Sequence, residues 1–436
     1  MLTAGPVPSR IAEPDNALDV DVAEAAAAYA ARNPRSGEIA RQAAHSLPGG
    51  NTRTSLWHDP FPLCMIRGEG SRLTDADDHR YIDFLGEFTA GIYGHSPAVI
   101  REAVIAALDD GINLSSHNRW EGELAELIRQ RFPSMALVRF TNSGNEANLM
   151  ALAAARAWTG RDKVLVFQGG YHGGVLAFPP GGSRANAPYD FVVARYNDLD
   201  GVRALIAEHA ASLAAILVEP MQGAGGCVPG DPAFLAMLRE AASQVGALLI
   251  FDEIQTSRLA LGGRQSLLGL RPDLTTIGKF FGGGMAFGCF GGRQDVMGQF
   301  DPRRPDALAH AGTFNNNTLT MAAGSAALRH LLTAEALDAL NAAGDQVRTD
   351  LLALFEAEGA PFTASGLGSL MNIHPTGPAD AIAPLRRLLF FDLAEQGIYI
   401  APRGLIALSL CITPEDIAAF MDAMRRFLTR RRPLFA

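Results

Sequence analysis

The sequence predicts an α/β fold in two parts: a large domain on a mostly parallel sheet flanked by helices, and a smaller α+β domain. Three observations carry this. The 436 residues exceed what one hydrophobic core usually holds together. From about Pro97 to His330, helical patterns alternate with brief apolar or β-branched runs, the order that buries a parallel sheet between layers of helix. After His330 the text changes to long helical patterns around one extended stretch, GSLMNIH. With 48% hydrophobic and 19% charged residues, and glycine and proline dispersed, the composition is that of a globular chain. The expected division is 1–96 as an N-terminal arm and a segment contributing to the small domain, 97–330 as the large domain, and 331–436 as the C-terminal small domain.

Residues 1 to about 35 hold a Pro-containing start and an Ala-rich stretch, VAEAAAAYAAR, that reads as an exposed helix or arm. From Arg67, RGEGSRLTDADDHRYIDF reads as short antiparallel strands turning at Gly68, Gly70 and Asp77-Asp78. LVRF (137–140), KVLVF (163–167), AAILVEP (214–220) and ALLIFDE (247–253) are short and apolar, as strands buried on both faces should be. Further helices are expected in AEALDALNAAGDQVRTDLLALFEAEG, LRRLLFFDLAEQG and PEDIAAFMDAMRRFL. The basic end, Arg425, Arg426, Arg430, Arg431 and Arg432, either complements the dipole of that last helix or contacts a membrane or nucleic acid.

Several function classes are disfavoured. A net charge of −9 gives no basic field for a polyphosphate backbone, so no nucleic-acid partner is expected. Cys64, Cys227, Cys289 and Cys411 stand far apart without metal-ligand spacing, which fits reduced thiols in the cytoplasm and no metal site. The N-terminus has no apolar signal region, and no apolar run of about 18 residues exists, so neither export nor a membrane is expected. There is no G-x-G-x-x-G, and Gly278-Lys279 precedes Phe280 rather than Ser or Thr, which excludes a P-loop.

The chemistry sits at strand ends. TNSGNEAN joins an expected strand to a helix, and the free N–H groups from Ser143 to Glu146 would receive an anion such as phosphate, or merely be capped. Asp252 ends an apolar strand and points into the crevice where ligands of such sheets bind, unless an Arg or helix terminus pairs with it. The chain has only two lysines. Lys279, between an apolar run and three glycines, is set for desolvation, and a neutral amine is what Schiff-base chemistry needs. Lys163 follows Arg161-Asp162 and reads as a solvated strand end. Tyr171 and His172 follow another strand, where an aromatic ring could lie on a planar cofactor or pack as ordinary loop. An anion cradle, an aromatic ring, a buried carboxylate and a desolvated lysine are together what pyridoxal 5'-phosphate requires. At an effective dielectric near 20, a charge pair at about 4 Å is worth on the order of 4 kcal/mol, or about three pKa units for the ring nitrogen.

With these motifs in view, the sequence resembles the fold-type I pyridoxal-phosphate enzymes, and among them the class III aminotransferases. The text that carries the resemblance is TNSGNEAN, GGYHGG, VEPMQGAGG, LLIFDEIQTSR, PDLTTIGKFFGGG and HAGTFNNN, within about residues 45 to 425. It implies a seven-stranded, mostly parallel sheet in the large domain. It implies that Lys279 is the Schiff-base lysine, Asp252 the pyridinium partner and Tyr171 the stacking ring. Ser143, Gly144 and Asn145 would bind the phosphate, with Thr313 added from the second subunit of a homodimer with shared active sites. His172, Glu219, Ile254 and Gln255 complete the implied cofactor set. Position 145 is Asn where the family usually has Thr or Ser, so altered rather than lost cofactor affinity is expected, tested by titrating Asn145→Thr.

The opening PGGNTRTSLWHDPFPLCMIRGEG resembles both glutamate-1-semialdehyde aminomutases and aromatic β-amino-acid aminotransferases of the β-phenylalanine type. HAGTFNNNTLTMAAG lacks the Gly-Asn-Pro of aminomutases, and APRGLIALSL supplies Arg403, which resembles the β-amino-acid branch. The expected reaction moves the amino group of a β-amino acid to a 2-oxoacid, 2-oxoglutarate or pyruvate, by a ping-pong route. Arg53 is the first choice for the donor carboxylate and Arg403 the second, for the donor or a dicarboxylic acceptor, since an Arg fork binds carboxylates at two points. Either could instead be a structural ion pair. A non-catalytic pyridoxal-phosphate-binding protein is the alternative from another class, and no fused DNA-binding motif accompanies it.

Overall fold

The computed structural model describes residues 17–435. Its largest sheet has seven strands, in spatial order Leu137–Thr141, Gly288–Gly292, Leu274–Gly278, Leu248–Asp252, Leu213–Val218, Lys163–Phe167 and Asp190–Ala194. Neighbours run parallel except at Gly288–Gly292, which is antiparallel to both strands beside it. The mostly parallel sheet read from the sequence is therefore present.

Its strands are apolar throughout because both faces are covered. Val164, Val166, Leu217 and Ile250 meet Ala147, Ala151 and Leu152 of the helix Gly144–Thr159. The alternate residues Leu165, Ile216, Val218, Leu249 and Phe251 meet Phe234, Leu235 and Leu238 of Pro232–Val245 on the other face. LVRF departs from the expected two-sided burial: its strand lies at the sheet edge and Leu137 is exposed. The neighbouring strand is GCFGG for a steric reason. A Cβ on Gly288 would stand 2.1 Å from the Ser143 carbonyl oxygen, so a side chain there would push the turn before Gly144–Thr159 off the sheet.

Met65–Glu69, Arg72–Asp75 and Arg80–Asp83 form the expected antiparallel strands, and Ile398–Tyr399 joins them parallel to Arg80–Asp83. Phe362–Leu367, Leu370–Pro375 and Leu405–Ala407 make a separate antiparallel sheet. Its apolar residues Phe362, Met371 and Ile373 share one core with Leu340 and Leu351 of Ala334–Ala357, Leu388 of Ala379–Glu395 and Phe420 of Pro414–Arg431.

The Pro-containing start lies outside the described residues. The Ala-rich stretch is helical, Ala17–Arg32, but it is not an exposed arm. Tyr29 is buried and its ring lies 5.2 Å from that of Phe391, because Val22 and Tyr29 form a narrow apolar edge on an otherwise small-residue surface. The basic C-terminus is largely spent within the chain: Arg431 on Asp392 and Asp21, Arg430 on Glu395, Arg432 on Glu358 and Arg425 on Asp422. Among the described residues, no helix is long and apolar enough to cross a membrane, no group of His, Cys, Asp and Glu could hold a metal, and the four cysteines are unpaired.

Candidate active site

Five segments leave the carboxyl ends of neighbouring strands and bring the expected residues to that edge of the sheet, the usual ligand crevice of an α/β fold. Asp252 ends Leu248–Asp252, Lys279 follows Leu274–Gly278, Tyr171 and His172 follow Lys163–Phe167, Glu219 follows Leu213–Val218, and Ser143 follows Leu137–Thr141.

Asp252 is 4% exposed. Its partner is neither an arginine nor a helix terminus. The Oδ2 atom accepts from His172 Nδ1 at 2.7 Å and from Asn148 Nδ2 at 2.8 Å, while Oδ1 accepts from the Ile254 N–H at 3.1 Å. Burial works against a charged His172, but the adjoining carboxylate outweighs it and moves the imidazole pKa upward. Glu219 lies in the same buried region. It accepts from the N–H groups of Tyr171 at 2.9 Å and Gly223 at 3.0 Å. Desolvation raises its pKa to about 7 in spite of the lowering effect of His172.

Lys279 adopts a left-handed backbone with φ of 56°. Its Nζ donates to the Phe88 carbonyl at 2.9 Å and to Thr89 Oγ1 at 2.7 Å. Glu87, Phe88 and Thr89 all have positive φ, a conformation costing roughly 1–2 kcal/mol per non-glycine residue, so strain is concentrated where the amine is held. Desolvation pushes the Lys279 ammonium down to about 8, with Asp252 and Glu219 opposing and Arg403 and Arg258 assisting. Lys163 differs in every respect: it begins its strand and pairs with Asp190 at 2.7 Å.

In the anion cradle both readings of the sequence coexist. Ser143 caps Gly144–Thr159, its Oγ accepting from the Glu146 N–H at 3.2 Å, and its carbonyl takes the Ala147 N–H at 3.1 Å. One of the donors expected to be free, that of Glu146, is therefore used, and those of Gly144 and Asn145 are left. A Cβ on Gly144 would meet Ile254 Cδ1 at 2.3 Å, so only glycine lets Ile254 pack there. Asn145 Oδ1 and Gln255 Oε1 are buried without a partner, a cost of about 1–3 kcal/mol each unless an outside group satisfies them. Either amide can also turn its NH2 toward an anion. Tyr171 is pinned through its backbone while the residue stays 47% exposed, leaving its ring accessible. The residues fit pyridoxal phosphate: free N–H groups for its phosphate, a buried carboxylate for its ring nitrogen, an aromatic ring, and one desolvated amine for its aldehyde.

Thr313 does not join them within one chain. It is exposed on the loop before Thr318–His330, beside Phe314 and opposite Ile112 and Leu114, with no hydrogen bond to Ser143, Gly144 or Asn145. Arg53 is ion-paired with Glu87 and sits 5.2 Å from the Phe88 ring. Arg403 lies 5.3 Å from the same ring; its Nε is buried without a partner, and no described carboxylate pairs with it. Phe88, Thr89, Asn148, Thr276 and the fully buried Arg258 were not anticipated. Arg258 bonds Ser369, Thr89 and Leu408 and thereby ties the Thr89 loop to the C-terminal part of the chain. Only Asn148 carried a sequence signal, lying one turn into the helix that follows the cradle.

The chain matches the family model described as aminotransferase class-III over residues 54–428. It is 52% identical over 420 residues to the β-phenylalanine transaminase of Variovorax paradoxus, covering 94% of this chain and 96% of that protein. The crystal structure of the β-phenylalanine aminotransferase from Variovorax paradoxus superposes with a TM-score of 0.94, over 96% of this chain and 99% of that one. A transaminase with pyridoxal phosphate bound is 33% identical with a TM-score of 0.86, covering 91% of this chain and 98% of that one. A glutamate-1-semialdehyde aminomutase from Pseudomonas aeruginosa PAO1 is similar in fold, with a TM-score of 0.84 over 94% of this chain and 98% of that one, at 24% identity.

Proposed function

The chain belongs to the class III aminotransferases and is a pyridoxal-phosphate-dependent transaminase; from that premise we propose that it takes its amino group from an aromatic β-amino acid of the β-phenylalanine kind and delivers it to a 2-oxoacid. The observation that carries the choice of donor is Arg403, half-buried with an unpartnered buried Nε and no carboxylate partner, against Phe88 and electrostatically felt by Lys279. A half-buried, unpaired cation of this kind favours a substrate that brings its own carboxylate, and an Arg fork binds it at two points. Arg53 is the weaker candidate for this task because Glu87 already neutralises it. It fits better as the contact for the second carboxylate of a dicarboxylic acceptor, which reverses the order expected from sequence.

When bound, pyridoxal phosphate supplies an electron-withdrawing ring that makes the proton on the donor carbon acidic. The N–H groups of Gly144 and Asn145, with Ser143 beside them, would hold its phosphate; Ile254 packs against Gly144, and Glu219 fixes the Tyr171 backbone. Asp252, aimed by His172 and Asn148, would face the ring nitrogen and favour its protonated form. Lys279 Nζ would be the group that accepts the proton of the donor carbon, as general base, and delivers it to the cofactor's aldehyde carbon, as general acid. Phe88 O and Thr89 Oγ1 hold that amine within reach while it waits. The keto product leaves before the acceptor arrives, a ping-pong order.

The reading includes a homodimer in which a second copy brings Thr313 to the cradle. The exposure of Phe314, Ile112 and Leu114 around Thr313 supports this, since a contiguous apolar surface of that kind calls for cover. Four unpaired cysteines support a reducing, cytoplasmic location. The test is a panel of β-amino acids, α-amino acids and simple amines, each paired with 2-oxoglutarate and pyruvate. Turnover greatest with aromatic β-amino acids is expected; preference for simple amines would overturn the donor assignment.

A further inference from the structure

Asn148 lies between the two parts of the site that must grip a cofactor ring, and all its hydrogen bonds are committed. Thr276 Oγ1 donates to its Oδ1 at 2.7 Å, which identifies the oxygen end of the amide unambiguously because the Asn148 NH2 has two other acceptors. Those acceptors are Asp252 Oδ2 at 2.8 Å and the His172 carbonyl at 3.0 Å. Asn148 and Thr276 are fully buried, and Thr276 stands in register with Asp252 on the adjacent parallel strand.

We propose that Asn148, oriented by Thr276, is a positioning residue that locks the Asp252 carboxylate and the Tyr171-His172 loop into one geometry. The inference rests on the transaminase reading above and deepens it. With Oδ2 occupied by Asn148 and His172 and Oδ1 taking the Ile254 N–H, the carboxylate cannot rotate without breaking three hydrogen bonds, and Oδ1, with a lone pair still open, is the oxygen left for a ring N–H. The second Asn148 N–H holds the backbone of the loop that carries Tyr171. One amide thus sets the distance between the acid and the aromatic ring. His172 alone could hold Asp252, but it offers no tie to Thr276 and none to its own carbonyl.

The test compares wild type with Asn148→Ala, Asn148→Ser and Thr276→Val. Each apoprotein is titrated with pyridoxal phosphate, its melting temperature is recorded, and kcat and KM are measured with one donor. Asn148→Ala is expected to weaken cofactor binding about tenfold or more and to lower kcat with little change in donor KM, as for loss of a buried hydrogen bond to a charged group. Asn148→Ser, which keeps one donor, should recover part of the loss. Thr276→Val keeps the shape but frees the amide to turn, and should weaken binding about threefold with the fold intact; it decides the matter should Asn148→Ala not fold. Cofactor affinity and kcat equal to wild type in Thr276→Val, or a fall in melting temperature alone, overturns the proposal. Failure of wild type itself to take up the cofactor overturns the transaminase reading instead, so the two failures are distinguishable.

Discussion

The chain's two lysines make an instructive comparison. Lys163 and Lys279 each adjoin a strand of the same sheet, one at the start of its strand and the other directly after the end, at opposite edges. Lys163 pairs with Asp190 near solvent, the ordinary position of a surface ammonium. Lys279 lies in the ligand crevice, without a carboxylate in contact, held by a carbonyl and a hydroxyl and with its pKa pushed down to about 8 by burial. The side chain is the same; desolvation and two neutral acceptors suit only one of them to the proposed role of nucleophile.

Substitutions sharpen this contrast. Lys279→Ala should reduce turnover by roughly 10³-fold or more while the protein still folds, since it removes both nucleophile and proton carrier; steady-state rates check this, and retained turnover would end the mechanism. Asp252→Asn keeps the shape but removes the charge, and should lower kcat by about 10²-fold, as expected when a ring nitrogen loses a partner worth a few pKa units. Arg403→Ala should raise the KM of a β-amino acid by about 10- to 100-fold, the scale of a charge-assisted hydrogen bond, with a smaller effect from Arg53→Ala; equal effects would remove the assignment of the donor carboxylate to Arg403.

A pH experiment on apoprotein tests the desolvation directly. The Lys279 pKa is lower in the folded state, so the unfolded chain binds the extra proton between about pH 8 and 10.5 and stability rises with pH in that window. Below it the folded state carries the full penalty, on the order of 3 kcal/mol. Lys279→Met should therefore gain stability relative to wild type at pH 7, and the gain should fade as pH rises toward 10.5, as read from denaturation at several pH values. A gain independent of pH would refute the desolvated amine. Lys163→Ala should change stability by less than about 1 kcal/mol at any pH, the usual worth of such an ion pair.

The comparison also shows what can be read before folding. Asp252 and Lys279 were legible because each adjoins the end of an apolar run, and strand ends face the crevice in any parallel sheet. The sheet was legible for the same reason, since burial on both faces leaves no polar alternation. Thr276 and Thr89 gave no comparable sign, and Asn148 only its place one turn into the helix after the cradle. Each acts through a residue 100 or more positions away, as in Asn148 to Asp252, Thr276 to Asn148 and Lys279 to Thr89. The pairing of Arg53 with Glu87 was equally hidden, because Glu87 sits in a left-handed turn that runs on from Gly86 through three non-glycine residues, which the sequence does not announce. Tyr29 was misread because an alanine-rich helix with one aromatic residue gives little periodic signal of the face it buries.

The most direct measurement is reductive trapping. Protein loaded with pyridoxal phosphate and reduced with borohydride is digested, and the two lysine-containing peptides are weighed by mass spectrometry. The account predicts the mass of one reduced cofactor on the peptide containing Lys279 and none on that containing Lys163. An adduct on Lys163, or none on Lys279, would contradict it.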